Sequence, residues 1–366
     1  MKLGSIQILR ALAAAMVVYM HSINQMCFFA ANGHQRTALH ASLGAYGVDL
    51  FFVISGFVIY TSANRLNGRS QALNFLWHRF RRINPIYYAA TLITLIVWLP
   101  SFWRHARPAP PDAQILTSAI LFPVLNNQLP ILTQAWTLSF EWYFYFLFFL
   151  LILAGVQKKT KLLSAVLISL IILGWFLRRW PLGFLGLYTD PLIFEFLLGV
   201  GTAYLCQRWT PGKKSIQAIL WLGIGLSLTL MLTGFYNFEA IPAPEIRSLR
   251  YVHALCWGSS AALVVTGCVL LERSGSTGFF QKHPLLLLLG DASYSIYLFH
   301  YLIFGAIGAI YLRVGLFLPP DLAIPINAVL ALVGCLPFYK WVEVPLLKWL
   351  RKESPSRLTP SPPAGT

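Results

Sequence analysis

Arg10 and His21 stand eleven residues apart in a stretch that is otherwise almost wholly apolar. On a helix that spacing is about 16 Å along the axis, and the two side chains differ by about 20° in azimuth. One helix face then carries a cation low down and an imidazole high up, with Gln7 and Gln25 on the same stripe. A guanidinium suits a phosphate-bearing ligand. An imidazole that is largely neutral near pH 7 suits general base chemistry. Asp49, at a matching depth in the next apolar run, is expected to orient His21 and fix its tautomer. Arg79 and Arg82, three residues apart, face one way on a helix and suit the anionic part of a large ligand such as a nucleotide diphosphate. Glu141 and Glu195 fall toward the opposite end of the apolar layer from these arginines, His300 near its middle, and Asp291 and Glu343 near the arginines.

Each of these residues also has a plainer reading. A single His in an apolar helix is more often a hydrogen-bonded packing residue, and His300 taken alone reads that way. Arg81 reads as a topological charge, Glu195 as structural, and Glu343 equally as an ion-pair partner of Lys340. His34 and His40 have no Cys or carboxylate beside them, and the five cysteines show no CxxC spacing, so no metal site is expected.

The elements that must hold these side chains are membrane helices. Only 11% of the 366 residues are charged and 57% are hydrophobic, against roughly 25% charged in a soluble chain. That excludes a disordered chain, a secreted disulfide framework and a water-soluble enzyme. Ten runs are long and apolar enough to span: 6–27, 44–62, 83–103, 134–155, 162–177, 190–206, 215–235, 251–271, 291–312 and 322–342. The segment 114–125 is too short and is expected to be re-entrant or interfacial. With both termini cytoplasmic, 19 of the 28 Lys and Arg residues fall inside and 8 outside, as the positive-inside rule requires. The net charge of +16 is therefore read as topology, with no nucleic-acid partner. The membrane domain is expected to cover 1–350, and the Pro/Ser-rich tail, 351–366, to be disordered.

The run Ile6 to Ala14 followed by His21 resembles the first helix of the acyltransferase-3 family, which carries an Arg, ten residues, then a His. The likeness continues in order through Gly47-Val48-Asp49-Leu50-Phe51-Phe52-Val53-Ile54-Ser55-Gly56-Phe57 and Arg79-Phe80-Arg81-Arg82-Ile83-Asn84-Pro85. It extends through Ala135-Trp136-Thr137-Leu138-Ser139-Phe140-Glu141, Ser293 to His300, and Trp341-Val342-Glu343-Val344-Pro345-Leu346. The resemblance implies a ten-helix O-acyltransferase of a bacterial cytoplasmic membrane, with no bound cofactor and with acyl-CoA, usually acetyl-CoA, as co-substrate. The acceptor it implies is a hydroxyl of an exported or cell-surface polysaccharide or its lipid-linked precursor. Carried over, His21 becomes the essential histidine and Arg10, Arg79 and Arg82 the donor-binding arginines, with Trp136, Ser139, Glu141, His300 and Glu343 in supporting or acceptor-side places. The absence of an appended hydrolase-like domain within these residues is similar to stand-alone members that modify exopolysaccharides, with polysaccharide-synthesis machinery as a partner. Two other readings stay open. One is O-acylation of a small molecule such as a macrolide or Nod factor. The other is a proton-coupled transporter or flippase using the same intramembrane polar groups.

Overall fold

In lipid every backbone polar group must be satisfied within the chain, which restricts spanning segments of such composition to helices. The computed structural model describes residues 3–29, 38–104, 108–122, 128–178, 180, 182, 185–234, 247–315 and 318–352, and its regular elements there are all helical. In order they are α1 (Gly4–Phe29), α2 (Ala38–Ala63), α3 (Arg69–Trp103), α4 (Asp112–Ala119) and a 3₁₀ turn (Thr133–Ala135) leading into α5 (Trp136–Leu153). Then come α6 (Lys159–Leu177), α7 (Leu185–Tyr188), α8 (Ile193–Arg208), α9 (Lys213–Thr233) and α10 (Arg247–Leu271). A π turn (Glu272–Ser276) leads to α11 (Thr277–Gln281), α12 (Pro284–Asp291), α13 (Ser293–Val314) and α14 (Pro320–Phe338), and a second π turn (Tyr339–Glu343) joins α14 to α15 (Val344–Lys352).

Among the described residues ten helical segments are long and apolar enough to cross a membrane, and they correspond to the ten expected runs. The short segment becomes α4, eight residues or about 12 Å, far less than a bilayer core. Two spans extend furthest beyond their expected bounds. α3 begins at Arg69, so Arg79 and Arg82 lie well inside a helix that passes through Pro85 and Pro100. The last span runs on through its π turn to Lys352, two residues past the expected domain boundary. His34, Arg36, the side chains of Cys27 and His40, and the tail from Ser354 lie outside the described residues. The remaining four cysteines are free thiols.

The bundle is organised around α1 and α2. α2 packs on α1, α8, α9 and α10, while α1 also packs on α12, α13 and α14. In the most apolar stretch of α2, 67% of residues are buried, against 17% in α6, which identifies α6 as a lipid-facing helix. Ile172, Phe176, Trp221 and Leu232 on α6 and α9 are exposed, and lipid is the medium that accepts them.

Close approach between helices depends on small residues, because no hydrophobic force drives association in lipid. A Cβ added to Gly56 on α2 would meet the Phe196 carbonyl of α8, and one added to Gly199 on α8 would meet the Val53 carbonyl of α2. Two backbones therefore touch there, and only glycine fits. At the other end, the Glu272 carboxylate accepts hydrogen bonds from the backbone N–H of Gly4 and Ser5, each 2.9 Å, and from the Ser5 hydroxyl at 2.5 Å. An acid from a distant helix thus caps the N-terminus of α1, where orphan N–H groups and the helix dipole favour negative charge. This cap sets the position of α1, and with it Arg10 and His21.

Candidate active site

Two cavities occupy the space between α1, α2, α3, α5 and α13. The larger, about 860 Å3, lies at the end expected to face the cytoplasm and is walled by Leu3, Asp291, Glu343, Lys348 and Leu350. The smaller, about 100 Å3, runs deeper, past Ser55 and Glu141 to Thr137 and Tyr297. Both share Arg10, Val58, Arg79, Arg82 and Tyr294, so the arginines stand at their junction. Five cationic side chains (Arg10, Arg79, Arg81, Arg82 and Lys348) and two carboxylates (Asp291 and Glu343) line the larger cavity, which favours an anionic occupant.

The four arginines are held differently. Arg81 is buried and donates to the Leu350 carbonyl at 2.9 Å, with His78 Nδ1 also at 2.9 Å, so it fastens α15 against α3. Arg79 donates to Ser62 Oγ at 2.8 Å and lies over the rings of Phe75 and Tyr145. Arg10 and Arg82 make no hydrogen bond or ion pair among the described residues, although Arg82, Glu343, Glu141 and Asp291 are within electrostatic range of Arg10. Two guanidiniums with their full donor sets thus face the cavity junction, beside one held in place by a hydroxyl and two ring faces.

Glu141 reaches the deeper cavity and accepts from the Tyr145 hydroxyl at 3.1 Å. Glu343 accepts from Ser295 Oγ at 2.6 Å rather than pairing with Lys340. The π turn that follows Pro337 brings Tyr339 and Glu343 to the cavity wall. Trp136 and Ser139 line neither cavity. Trp136 packs edge-on against Phe52 and Phe140, and Ser139 is buried on α5.

His21 and His300 are brought together. His21 Nδ1 and His300 Nε2 lie 2.8 Å apart, with ring planes 8° from parallel, and Tyr301 packs against both rings. His300 is fully buried, and its Nδ1 lies 3.0 Å from the Ile296 carbonyl one turn earlier on α13. A carbonyl only accepts, so Nδ1 of His300 carries the hydrogen and its Nε2 accepts. His21 then donates from Nδ1, which leaves its Nε2 with a lone pair. That is the tautomer a general base requires, fixed by a backbone carbonyl through an intervening imidazole. The ring of Tyr297, at the end of the deeper cavity, is 6.3 Å from that of His300. Tyr297 itself is pinned by its hydroxyl, which donates to the Gln134 carbonyl at 2.5 Å and lies 2.8 Å from Thr137 Oγ1.

Asp49 does not orient His21. Its Oδ1 lies 3.1 Å from His253 Nε2 on α10, with Glu195 of α8 beside them. Equal depth in the membrane is legible from the sequence, but rotation about the helix axis depends on which neighbours α2 meets. It turns Asp49 toward α8 and α10, away from the histidine pair. His253 was missed in the sequence; an imidazole three residues into an apolar run, with Trp257 one turn on, was the available signal.

The acyltransferase domain family matches residues 3–340 of the chain. Among curated proteins, the exopolysaccharide production protein ExoZ of Rhizobium meliloti (strain 1021) is 31% identical over 330 residues, covering 88% of this chain and 95% of that protein. The acyltransferase MdmB of Streptomyces mycarofaciens is 25% identical over 79% of this chain and 76% of its own. The peptidoglycan O-acetyltransferase OatA of Listeria monocytogenes is 28% identical over 81% of this chain, which spans about half of that longer protein, 48%. No solved structure matches. With a family match across nearly the whole length and ten apolar helices carrying its motifs, the chain belongs to the acyltransferase-3 family of multi-pass membrane O-acyltransferases.

Proposed function

We propose that the protein transfers an acyl group, acetyl in the first instance, from acyl-CoA to a hydroxyl of an exported or cell-surface saccharide at the bacterial cytoplasmic membrane. The observation that carries this reading is the meeting of the two cavities at Arg10, Arg79 and Arg82, with the deeper one ending at Tyr297, one turn below the His300–His21 pair. The phosphates of the donor lie in the basic cavity, and its thioester arm threads past the arginines toward the histidines. His21 Nε2 takes the proton of the acceptor hydroxyl, whose oxygen attacks the thioester carbonyl. The tetrahedral intermediate collapses, the carbon–sulfur bond breaks, and the leaving thiolate recovers the proton from His21. Glu141 and Glu343, held by Tyr145 and Ser295, stand within electrostatic range of Arg10 and offset part of the positive charge at the junction. A saccharide acceptor is supported by the match along 95% of a relative described as an exopolysaccharide production protein.

Membranes containing the protein, incubated with acetyl-labelled acetyl-CoA and an unacetylated exopolysaccharide, test this reading. Base-labile label on the saccharide is expected, and its loss in His21→Ala at equal protein level. Label appearing equally with the His21→Ala protein, or none with the intact one, would overturn it.

A further inference from the structure

Away from both cavities, three helices that pack on one another each contribute one buried ionisable side chain to a common point. These are Asp49 from α2, Glu195 from α8 and His253 from α10, at 1%, 0% and 4% exposure. Their ligand atoms all lie within 4.8 Å of one another. The acyl-transfer reading gives them no work.

Three carboxylate oxygens in this cluster, Asp49 Oδ2 and both oxygens of Glu195, are buried without a hydrogen-bond partner. A buried carboxylate with no donor is costly, and a native structure normally supplies a partner. The neighbouring Asp190 is matched by Arg250 at 2.9 Å. Asp49 and Glu195 meet His253 across the cluster, and Arg250, the cation that acts on Glu195 from further off, is itself bound to Asp190, so positive charge is short at the open carboxylate oxygens. A divalent cation supplies that charge and satisfies the open oxygens together. Asp49 Oδ1 and His253 Nε2 are 3.1 Å apart, close to the separation of two ligands that each bind one small cation at about 2.0 to 2.2 Å.

The geometry points to a structural divalent metal site formed by Asp49, Glu195 and His253, with an imidazole and two carboxylates selecting zinc or a similar first-row ion. Trp257 stacks on the His253 ring at 5.2 Å and 11°, closing the site on its apolar side. Gly258 lets α10 approach so closely that an added Cβ would sit 2.7 Å from Glu195 Cγ. The ion clips α2, α8 and α10 together on the side of α2 that faces away from the basic cavities.

Elemental analysis of the detergent-purified full chain, prepared without chelator, tests the proposal. One equivalent of zinc or another divalent first-row metal per chain is expected in the wild type, with loss of that ion in Glu195→Gln. Cobalt(II), loaded into metal-stripped wild type, is expected to give the visible bands of a low-coordinate N/O site, a readout that needs no variant to fold. Metal well below one equivalent, both as purified and after incubation with excess zinc, would overturn the proposal and leave a shared proton as the partner of these oxygens. Retention of the full equivalent by folded Glu195→Gln would overturn it equally.

Discussion

His300 holds its own hydrogen on the Ile296 carbonyl and offers Nε2 to His21. The orientation of His21, the proposed base, therefore depends on an imidazole partner rather than a carboxylate. A carboxylate would stabilise the imidazolium of His21, whereas a second imidazole fixes tautomer and angle while adding little charge. Replacing His300 by Ala removes one hydrogen bond of about 1 to 3 kcal/mol to a group that becomes charged during turnover. The expected result is a fall in kcat of about one to two orders of magnitude with acyl-CoA KM nearly unchanged. His300→Gln, which can still accept at a carbonyl oxygen, is expected to recover part of that loss. Steady-state kinetics on both variants check this; a change in KM alone would mean that His300 packs the donor channel instead of positioning His21.

At the scale of elements, α2 and α8 touch through Gly56 and Gly199, and this contact fixes the azimuth of α2. The azimuth turns Asp49 toward Glu195 and His253, while Val48, Phe51, Ser55 and Val58 line the cavities. Gly199→Ala presses a methyl group onto the Val53 carbonyl and is expected to destabilise by about 1 to 3 kcal/mol. Gly201→Ala, two residues away with open space around it, is expected to be neutral or slightly stabilising. Thermal unfolding of the two variants in detergent measures the difference directly. The same contact explains what was legible beforehand. Spans follow from hydropathy, which is local, and the depths of Arg10, Arg79, Arg82, His21 and His300 follow from position along a span. Which pairs meet across helices does not, since it depends on glycine contacts and π turns. The His21–His300 pair joins residues 279 apart, and Asp49–His253 joins residues 204 apart. Trp136 and Ser139 stand in a motif beside Glu141, yet the helix turns only Thr137, Leu138 and Glu141 of that stretch to the cavity.

For the whole molecule, the charge distribution that the positive-inside rule reads as topology also gives the proposed reaction a direction. The basic cavity opens beside Leu3, Lys348 and Leu350, near both described ends of the chain, the end at which the positive-inside rule expects the cytoplasm. The histidine pair lies beyond the arginines, toward the other face. Under the proposed function, a donor too polar to cross lipid would be used from one side only, and the acceptor would be reached from the other. In sealed inside-out vesicles, labelled acetyl-CoA added to the bulk solution is expected to support acylation of saccharide held within the lumen. In sealed right-side-out vesicles it is expected to give none until detergent opens them. Added salt is expected to raise the acyl-CoA requirement in the inside-out vesicles, because screening weakens attraction between the donor phosphates and Arg10, Arg79 and Arg82. Equal activity in both orientations before permeabilisation would contradict a one-sided donor path, and salt-insensitive donor binding would remove the arginines from it.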